Sequence, residues 1–372
     1  MRVCHVTSVH RFNDNRIFYK EILSLKEAGY DVCYIAPNAP ESFNGIQIFS
    51  NVTSGGRVRR FFVQSLFHTL RHAIAAKADV YHLHDPELMP AAFLLRCIGK
   101  RVIFDVHENA PAAMLSKSYI GPALVRKIVS SFVDISERFF FLFFNVIVTA
   151  RPDISERLRS FRPYTLKNFP VLPSQEELDR QVSNLRLSKT KRSIIYVGGM
   201  TPIRGIKELV EAFDQLDEFE LWLLGPFGSR DFENSLKQLD GWRNVRHFGI
   251  VEPHEIFGYI QKADAGIVTF WPEPNHVRTL ATKPFEYMAC GLPMIMSDFP
   301  YWRDFFGDGS LYVDPRDPAD IACTVRDLLE NDELIAEMGE RNRRKSRTEY
   351  NWESERQELY RLYSNLVAAG AN

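Results

Sequence analysis

The sequence predicts an α/β protein built from two similar doubly wound halves, and three observations carry that reading. Strand-like apolar runs alternate with amphipathic helical stretches without hairpin turns, the pattern of right-handed βαβ units and of parallel sheets covered by helices. The alternation stops in a polar stretch near the middle of the chain and then restarts. The 372 residues amount to about two domains at roughly 150 each, large enough for each to bury its own core.

Taken in order, Arg2 to Thr7 is a short apolar run, and a polar loop follows through Asn15. Ile17, Phe18, Ile22, Leu23 and Leu25 then mark one helical face that ends before Gly29, and Asp31 to Ala36 is the next strand. Val80 to Leu83, the helical stretch Glu87 to Ile98, Val102 to Val106 and Val146 to Thr149 continue the alternation up to Asn168. The polar stretch Pro170 to Lys191, containing SQEELDRQ and SKTKR, reads as an interdomain segment. Ile194 to Val197 restarts the pattern, Gly198 to Gly205 is a tight turn, and Ile206, Leu209, Val210 and Phe213 share the face of the next helix. Further strands are expected at Glu220 to Leu224, Val245 to Phe248, Ala265 to Thr269, Pro293 to Met296 and Leu311 to Val313, and a final amphipathic helix at Trp352 to Leu366. The expected domains are therefore 1–168, with the C-terminal helix of 352–372 packing back on it, a linker over 169–191, and 192–351. Such architectures bind ligands at the carboxyl ends of their strands, here in a central cleft that the two halves are expected to face.

Composition excludes several classes. With 45% hydrophobic and 25% charged residues the chain is neither disordered nor collagen-like. A balance of 46 basic against 47 acidic residues excludes a globally basic nucleic-acid binder, so no nucleic-acid partner is expected. The five cysteines are widely spaced without a C-x-x-C pair, which suggests neither a disulfide framework nor a zinc site and fits a reduced cytoplasm. The N-terminus reads as a buried strand rather than a signal peptide, and no apolar run approaches the roughly 20 residues of a membrane span.

Two segments carry chemistry. In TKPFEYMACGLPMIMSD, Thr282 to Asp298, Pro284 suits the first turn of a helix and places Glu286 there. A carboxylate so placed can accept two hydrogen bonds from a vicinal diol such as a ribose, while Lys283 and free N–H groups face an anion. Read blandly, it is a capped helix. In YVGGMTPIRGIKELVEAF, Tyr196 to Phe213, glycines after a strand let backbone N–H groups approach a phosphate, and Arg204 can bind its oxygens in a fork. That segment is neither a P-loop nor G-x-G-x-x-G, and an ordinary glycine-rich turn would look the same.

Together these segments resemble the nucleotide-sugar half of glycosyltransferase family 4, retaining enzymes with the GT-B fold. TSVHRFNDNRIFYKE with AGYDVCYIAP, then HLHDPELMPAA and VIFDVHENAP, are similar to N-domain blocks of a bacterial branch of that family, KNFPVL to its interdomain segment, and the last helix to its crossover. The resemblance implies transfer of a sugar from a nucleotide-diphosphate sugar with retention at the anomeric carbon, without a metal or other cofactor, to a glycan or lipid-linked glycan acceptor in polysaccharide biosynthesis. Glu286 matches the second glutamate of the family's E-x7-E pattern and is the expected ribose contact, but Arg278 stands where the first glutamate belongs. Gly199 stands where many members carry a phosphate-binding arginine, and Arg204 where the common member has lysine. The diphosphate site is thus expected from Gly199, Arg204, Arg278 and Lys283, and the base contact from the backbone near Ile250 and Val251.

His107, after a strand, matches the histidine that lies near the transferred sugar and is the expected catalytic residue; its bland reading is a loop histidine paired with Glu108. His84 and Asp85 support either the donor or the loop of His107. Asn13, Asp14 and Arg16 occupy the place of a glycine-rich phosphate-facing loop, with Arg16 facing the donor or merely capping a helix. Two acid-free stretches bear on location. Gly55 to Ala78 carries Arg57, Arg59, Arg60, Arg71 and Lys77 among Phe61, Phe62, Leu66, Phe67 and Leu70, and Ala110 to Val133 carries Lys117, Arg126 and Lys127 beside Met114, Tyr119 and Ile120. Such surfaces bind anionic headgroups, so an anionic membrane surface is a candidate partner and a peripheral position at the inner face of the membrane follows, while ordinary covering helices would read alike. The run Phe139 to Phe144 is expected to pack into the core. Two other functions compete: a sugar-nucleotide 2-epimerase, and a non-catalytic nucleotide-sugar-binding protein motivated by Arg278 and Gly199. A dehydrogenase is disfavoured because neither glycine turn carries G-x-G-x-x-G with an acid about 20 residues on.

Overall fold

The computed structural model describes residues 1–51, 66–117, 120–252, 255–273 and 276–368. Arg57, Arg59, Arg60, Phe61 and Phe62 of the first basic stretch, and Tyr119 of the second, lie outside the described residues. The chain divides into two compact units, Met1–Asn168 with Glu355–Asn372, and Phe169–Ser354.

In the first unit, β1 (Arg2–Val6), β2 (Asp31–Pro37), β3 (Ser42–Phe43), β4 (Ile46–Asn51), β5 (Val80–Leu83), β6 (Arg101–Val106), β7 (Val146–Thr149) and β8 (Tyr164–Thr165) form one sheet in the order β3-β4-β2-β1-β5-β6-β7-β8. All pairs are parallel except β3 with β4. The central strand β1 is buried on both faces from Val3 to Val6. Strand order reverses at β1, which pairs with β2 on one side and β5 on the other. The helix after β1 is π-helical over Asn15–Ile22 and α-helical over Leu23–Glu27, and buries Ile17, Phe18, Ile22 and Leu25. The last helix, Trp352–Ala368, ties itself to this unit by Tyr360 Oη donating to Ser24 O at 2.9 Å and by a 2.9 Å bond between Tyr363 Oη and His82 Nδ1.

In the second unit, β9 (Arg192–Val197), β10 (Phe219–Leu224), β11 (Val245–Gly249), β12 (Ala265–Val268), β13 (Met294–Ser297) and β14 (Ser310–Val313) form a parallel sheet in the order β11-β10-β9-β12-β13-β14. The order reverses between β9 and β12, the position at which doubly wound sheets open to a ligand. The glycine turn after β9 sits against the end of β12: a Cβ at Gly205, whose φ is +69°, would lie 2.0 Å from Thr269 O. Only glycine fits there.

Three features differ from the sequence expectation. The segment 169–191 is not a bare linker, because Gln175–Asn184 is a helix, capped by Ser174 Oγ on Glu177 N, that buries Leu178 in the same cluster as Ile260 of the second unit. The edge strands β3, β4 and β8 were not anticipated. In the run Phe139 to Phe144 only Phe141 and Phe144 are buried in the core and Phe140 packs against it partly buried, while Phe139, Leu142 and Phe143 are exposed. The helix Ala123–Phe141 covers the first three residues of that run, and its 3.6-residue period turns successive side chains to different faces.

Candidate functional site

Two constellations form at the carboxyl ends of the two sheets. In the second unit, Arg204 follows β9 and directs Nη1 to Gly199 O at 3.1 Å, with its guanidinium 5.3 Å above the ring of Phe270, which follows β12. Gly199 O also accepts Tyr196 Oη at 3.1 Å. Arg204 has no carboxylate partner among the described residues, so its charge is available to an anion. Lys283 and Glu286 open the helix Lys283–Ala289 after β12, and Nζ bridges both carboxylate oxygens at 2.8 and 2.7 Å. That helix is fixed to β9 by Tyr287 Oη, which accepts Val197 N at 3.0 Å, and to β12 by the Tyr287 ring, which fills the space beside Gly266. Arg278 is exposed and makes no hydrogen bond or ion pair with a described residue. Ile250 is exposed in the loop after β11, and Val251 packs on the core there.

The first unit holds a buried polar chain. His5 on β1 is the register partner of His82 on β5, and His84 lies two residues on from His82, hence on the same face. His5 Nδ1 and His84 Nε2 are 2.9 Å apart, and His84 Nδ1 and His107 Nε2 are 3.1 Å apart. Asp105, on β6, places Oδ2 at 3.3 Å from His107 Nε2 and 3.7 Å from His84 Nδ1. His107 is thus supported by His84 and Asp105 rather than by Glu108. Burial holds its imidazole neutral, with the pKa lowered to about 3 although Asp105 opposes the shift. Burial likewise lowers His5 and His82 well below the usual histidine range.

Arg16 does not face a ligand loop. Its side chain is 5% exposed, and it donates through Nε and Nη2 to Asp105 Oδ2 at 3.2 and 2.9 Å and through Nη1 to Leu166 O at 3.1 Å. Its Nε also lies 3.1 Å from Glu21 Oε1, because the wide π-helical turn brings residues five apart to one face. A buried guanidinium is held by paired carboxylates, which is why it turns inward. Asp105 stays well below the carboxylate range despite burial because Arg16 faces it, whereas burial pushes Glu21 well above that range. Asp14 is also engaged, accepting Arg16 N and Ile17 N as a helix cap at 2.8 and 2.9 Å and facing His10 at 3.6 Å. Asp85 accepts Thr7 Oγ1 and Ser8 N, both at 2.6 Å, and faces His10 Nε2 at 3.2 Å. The two acids raise His10 to about 10, and His10 in turn lowers Asp85 to about 2 against its burial.

Among the described residues, two sets of ligand-type atoms lie close together: His5, Glu21, His82 and His84, and then His84, Asp105 and His107. Neither suits a cation. The Arg16 guanidinium already supplies positive charge beside Glu21 and Asp105, and His5 Nδ1, both nitrogens of His84 and His107 Nε2 are engaged with neighbouring imidazoles. His5, His10, Glu21, His82 and Asp105 escaped the sequence reading. The available signal was a polar residue inside a strand otherwise apolar on both faces, as in RVCHV, VYHL and RVIFDV.

Comparison with known proteins adds family information. Residues 177–345, within the second unit, match the Glycosyl transferases group 1 family. TuaH of Bacillus subtilis (strain 168), assigned as a teichuronic acid biosynthesis glycosyltransferase, is 23% identical over 312 residues, or 75% of each chain. Other curated glycosyltransferase and spore-coat relatives are matched over only 30 to 48% of their own length. Sucrose-phosphate synthase (tll1590) from Thermosynechococcus elongatus superposes with a TM-score of 0.75 at 16% identity, covering 99% of this chain and 100% of that one. Anabaena Alr3699/HepE, solved in complex with UDP, gives 0.71 at 13% identity, covering 98% and 100%. These are proteins of two Rossmann-like domains with parallel sheets, the GT-B fold.

Proposed function

We propose that the chain, whose residues 177–345 match the Glycosyl transferases group 1 family, is a sugar transferase that moves a sugar from a nucleotide-diphosphate sugar to a glycan or lipid-linked glycan acceptor with retention at the anomeric carbon. The observation that supports the donor half is the placement of Arg204 in the turn after β9 and of the Lys283–Glu286 pair at the start of the helix that follows β12, the neighbouring strands at which the sheet order reverses. In this reading the bond from C1 to the diphosphate oxygen breaks, the acceptor oxygen bonds to C1 and passes its proton to the departing diphosphate oxygen, and the nucleoside diphosphate leaves. Arg204 and Lys283 offset the charge that grows on the leaving diphosphate, a task that requires cations but no particular metal. Glu286 accepts the ribose hydroxyls, the backbone at Ile250 and Val251 meets the base, and His107 lies beside the donor sugar. A thermal-shift screen with UDP, GDP and ADP and their sugars, followed by product analysis with glycan acceptors, tests the proposal. Stabilisation by none of them would refute the donor site. An epimerised nucleotide sugar formed without acceptor would make the chain a 2-epimerase, and binding without transfer would make it a nucleotide-sugar-binding protein. HepE was solved with UDP, which makes UDP the first nucleotide to try.

A membrane-bound acceptor is supported by the helix Ala123–Phe141. Leu124, Ile128, Phe132, Ile135, Phe139 and then Leu142 recur at spacings of three and four residues and are 52 to 70% exposed, a continuous apolar stripe on the surface. No acid occurs from Ala110 to Val133, where Lys117, Arg126 and Lys127 lie. An anionic bilayer complements both features: covering each such side chain contributes about 1 to 2 kcal/mol, and each basic residue about 1 kcal/mol. The full chain is expected to sediment with phosphatidylglycerol vesicles and not with phosphatidylcholine vesicles, and to lose this with Ile128→Ser and Phe132→Ser together. A concentration-dependent dimer without vesicle binding would assign the stripe to a second copy instead.

A further inference from the structure

The three imidazoles His5, His84 and His107 are joined end to end. For His5 and His84 the ring centroids are 5.2 Å apart with planes inclined by 16°, and that separation is the 2.9 Å bond plus the two ring radii. The facing nitrogens therefore lie on the line between nearly coplanar rings. For His84 and His107 the centroids are 5.3 Å apart across a 3.1 Å bond, again close to collinear. These are aligned hydrogen bonds, with both ring nitrogens of His84 engaged.

A neutral imidazole carries one N–H and one bare nitrogen, so a chain of such rings runs in one direction or the other. If His107 donated into the chain, His84 would donate to His5 Nδ1, and His5 would carry its proton on Nε2. That nitrogen is buried and has no hydrogen-bond partner among the described residues. An orphaned buried N–H is costlier than a bare nitrogen left unpaired, which selects the opposite direction. We propose that His5 and His84 are positioning residues that set the tautomer of His107: His5 Nδ1–H donates to His84 Nε2, and His84 Nδ1–H donates to His107 Nε2. The Asp105 carboxylate, fixed by Arg16, lies near both nitrogens of the second bond, 3.7 Å from His84 Nδ1 and 3.3 Å from His107 Nε2, and does not choose the direction; the buried end of the chain at His5 does.

The consequence concerns what His107 presents outward. Its proton is on Nδ1, an atom without a hydrogen bond to any described residue, and its side chain is 16% exposed. Toward a ligand it is then a hydrogen-bond donor, suited to the oxygen of a sugar hydroxyl or of a phosphate, and not a base for the acceptor hydroxyl. This rests on the reading that places His107 beside the donor sugar, but the tautomer itself does not depend on it.

The test uses the full chain labelled with ¹⁵N-histidine, and long-range ¹H–¹⁵N correlation at pH 8 without ligand, His107 being assigned from the spectrum of His107→Gln. The expected signature is protonated Nδ1 and bare Nε2, the reverse of the preference of a free histidine side chain. His84→Asn keeps an N–H where Nδ1 stood and should preserve that signature, whereas His84→Leu should shift His107 toward the Nε2–H form. Wild-type His107 in the Nε2–H form would overturn the proposal even if the leucine variant fails to fold, and so would a folded His84→Leu with an unchanged tautomer. The reading on which it rests fails separately: His107→Ala with undiminished sugar transfer would sink the role of His107 and leave the tautomer result standing.

Discussion

Arg204→Ala separates donor binding from folding. In the folded protein one N–H of Arg204 reaches Gly199 O, and the guanidinium lies over Phe270. Gly199 O keeps Tyr196 Oη when Arg204 is removed, so no buried carbonyl is left unpaired. The structural loss is one neutral-acceptor hydrogen bond and one cation–π contact, together about 1 to 2 kcal/mol. In a unit of this size that lowers Tm by a few degrees only, at roughly 2 to 4 °C per kcal/mol. The loss in binding is larger, because a hydrogen bond between a guanidinium and a phosphate contributes about 1.5 to 3 kcal/mol, equivalent to roughly 10- to 150-fold in Kd. Titration calorimetry with the nucleoside diphosphate that stabilises the wild type reads this directly. Arg204→Lys should fall between the two, keeping the charge but losing the fork. An unchanged Kd for the alanine variant would refute the assignment of Arg204 to the diphosphate, and a collapse of Tm would show that the residue holds the turn rather than the ligand.

Other substitutions probe the remaining groups. Arg278→Glu, which restores the residue expected from the family pattern, should lower turnover with Tm unchanged, since Arg278 is exposed and unpaired among the described residues; normal turnover would mean that Arg278 does not compensate for Gly199. Glu286→Gln should weaken nucleoside diphosphate binding more than sugar phosphate binding, and equal losses would point to damage of the Lys283 contact instead. Arg16→Met should destabilise the protein by about 3 to 5 kcal/mol, because it leaves Asp105 buried without its cation, and a melting curve that superposes on wild type would contradict that. His10 has its pKa raised from 6.5 to about 10, so its ion pairs with Asp14 and Asp85 stabilise the fold fully below pH 6.5 and lose that contribution as pH rises through 10. With the side chain 35% exposed, screening reduces the effect to about 1 to 2 kcal/mol. The Tm difference between wild type and His10→Gln should accordingly be present at pH 6 and vanish above pH 10, and a difference that grows with pH would reverse the assignment.

The sequence by itself determined the order of strands and helices in both halves, the glycine turn after β9 and the helix that opens with Lys283 and Glu286. Those features are written in local periods and local chemistry: apolar runs of four to six residues, a 3.6-residue stripe, and glycines where a side chain would strike a neighbouring strand. The strands β3, β4 and β8 lie at or next to the sheet edges, where burial is lighter and the apolar signal correspondingly weaker. Phe139 to Phe144 illustrates the converse limit, since composition reads six large apolar residues as core while half of them, in the last helical turn and just after it, are exposed. Tertiary structure alone decided the fate of Arg16. Next to Asp14 in sequence it looks like a residue at a ligand loop, but its partners Asp105 and Leu166 lie 89 and 150 positions away. The same holds for the histidine chain, whose links join residues 79 and 23 positions apart. Parallel pairing lays β1, β5 and β6 side by side, and only that registration brings His5, His84, Asp105 and His107 within hydrogen-bond reach; no periodicity along the chain encodes which strands will be neighbours.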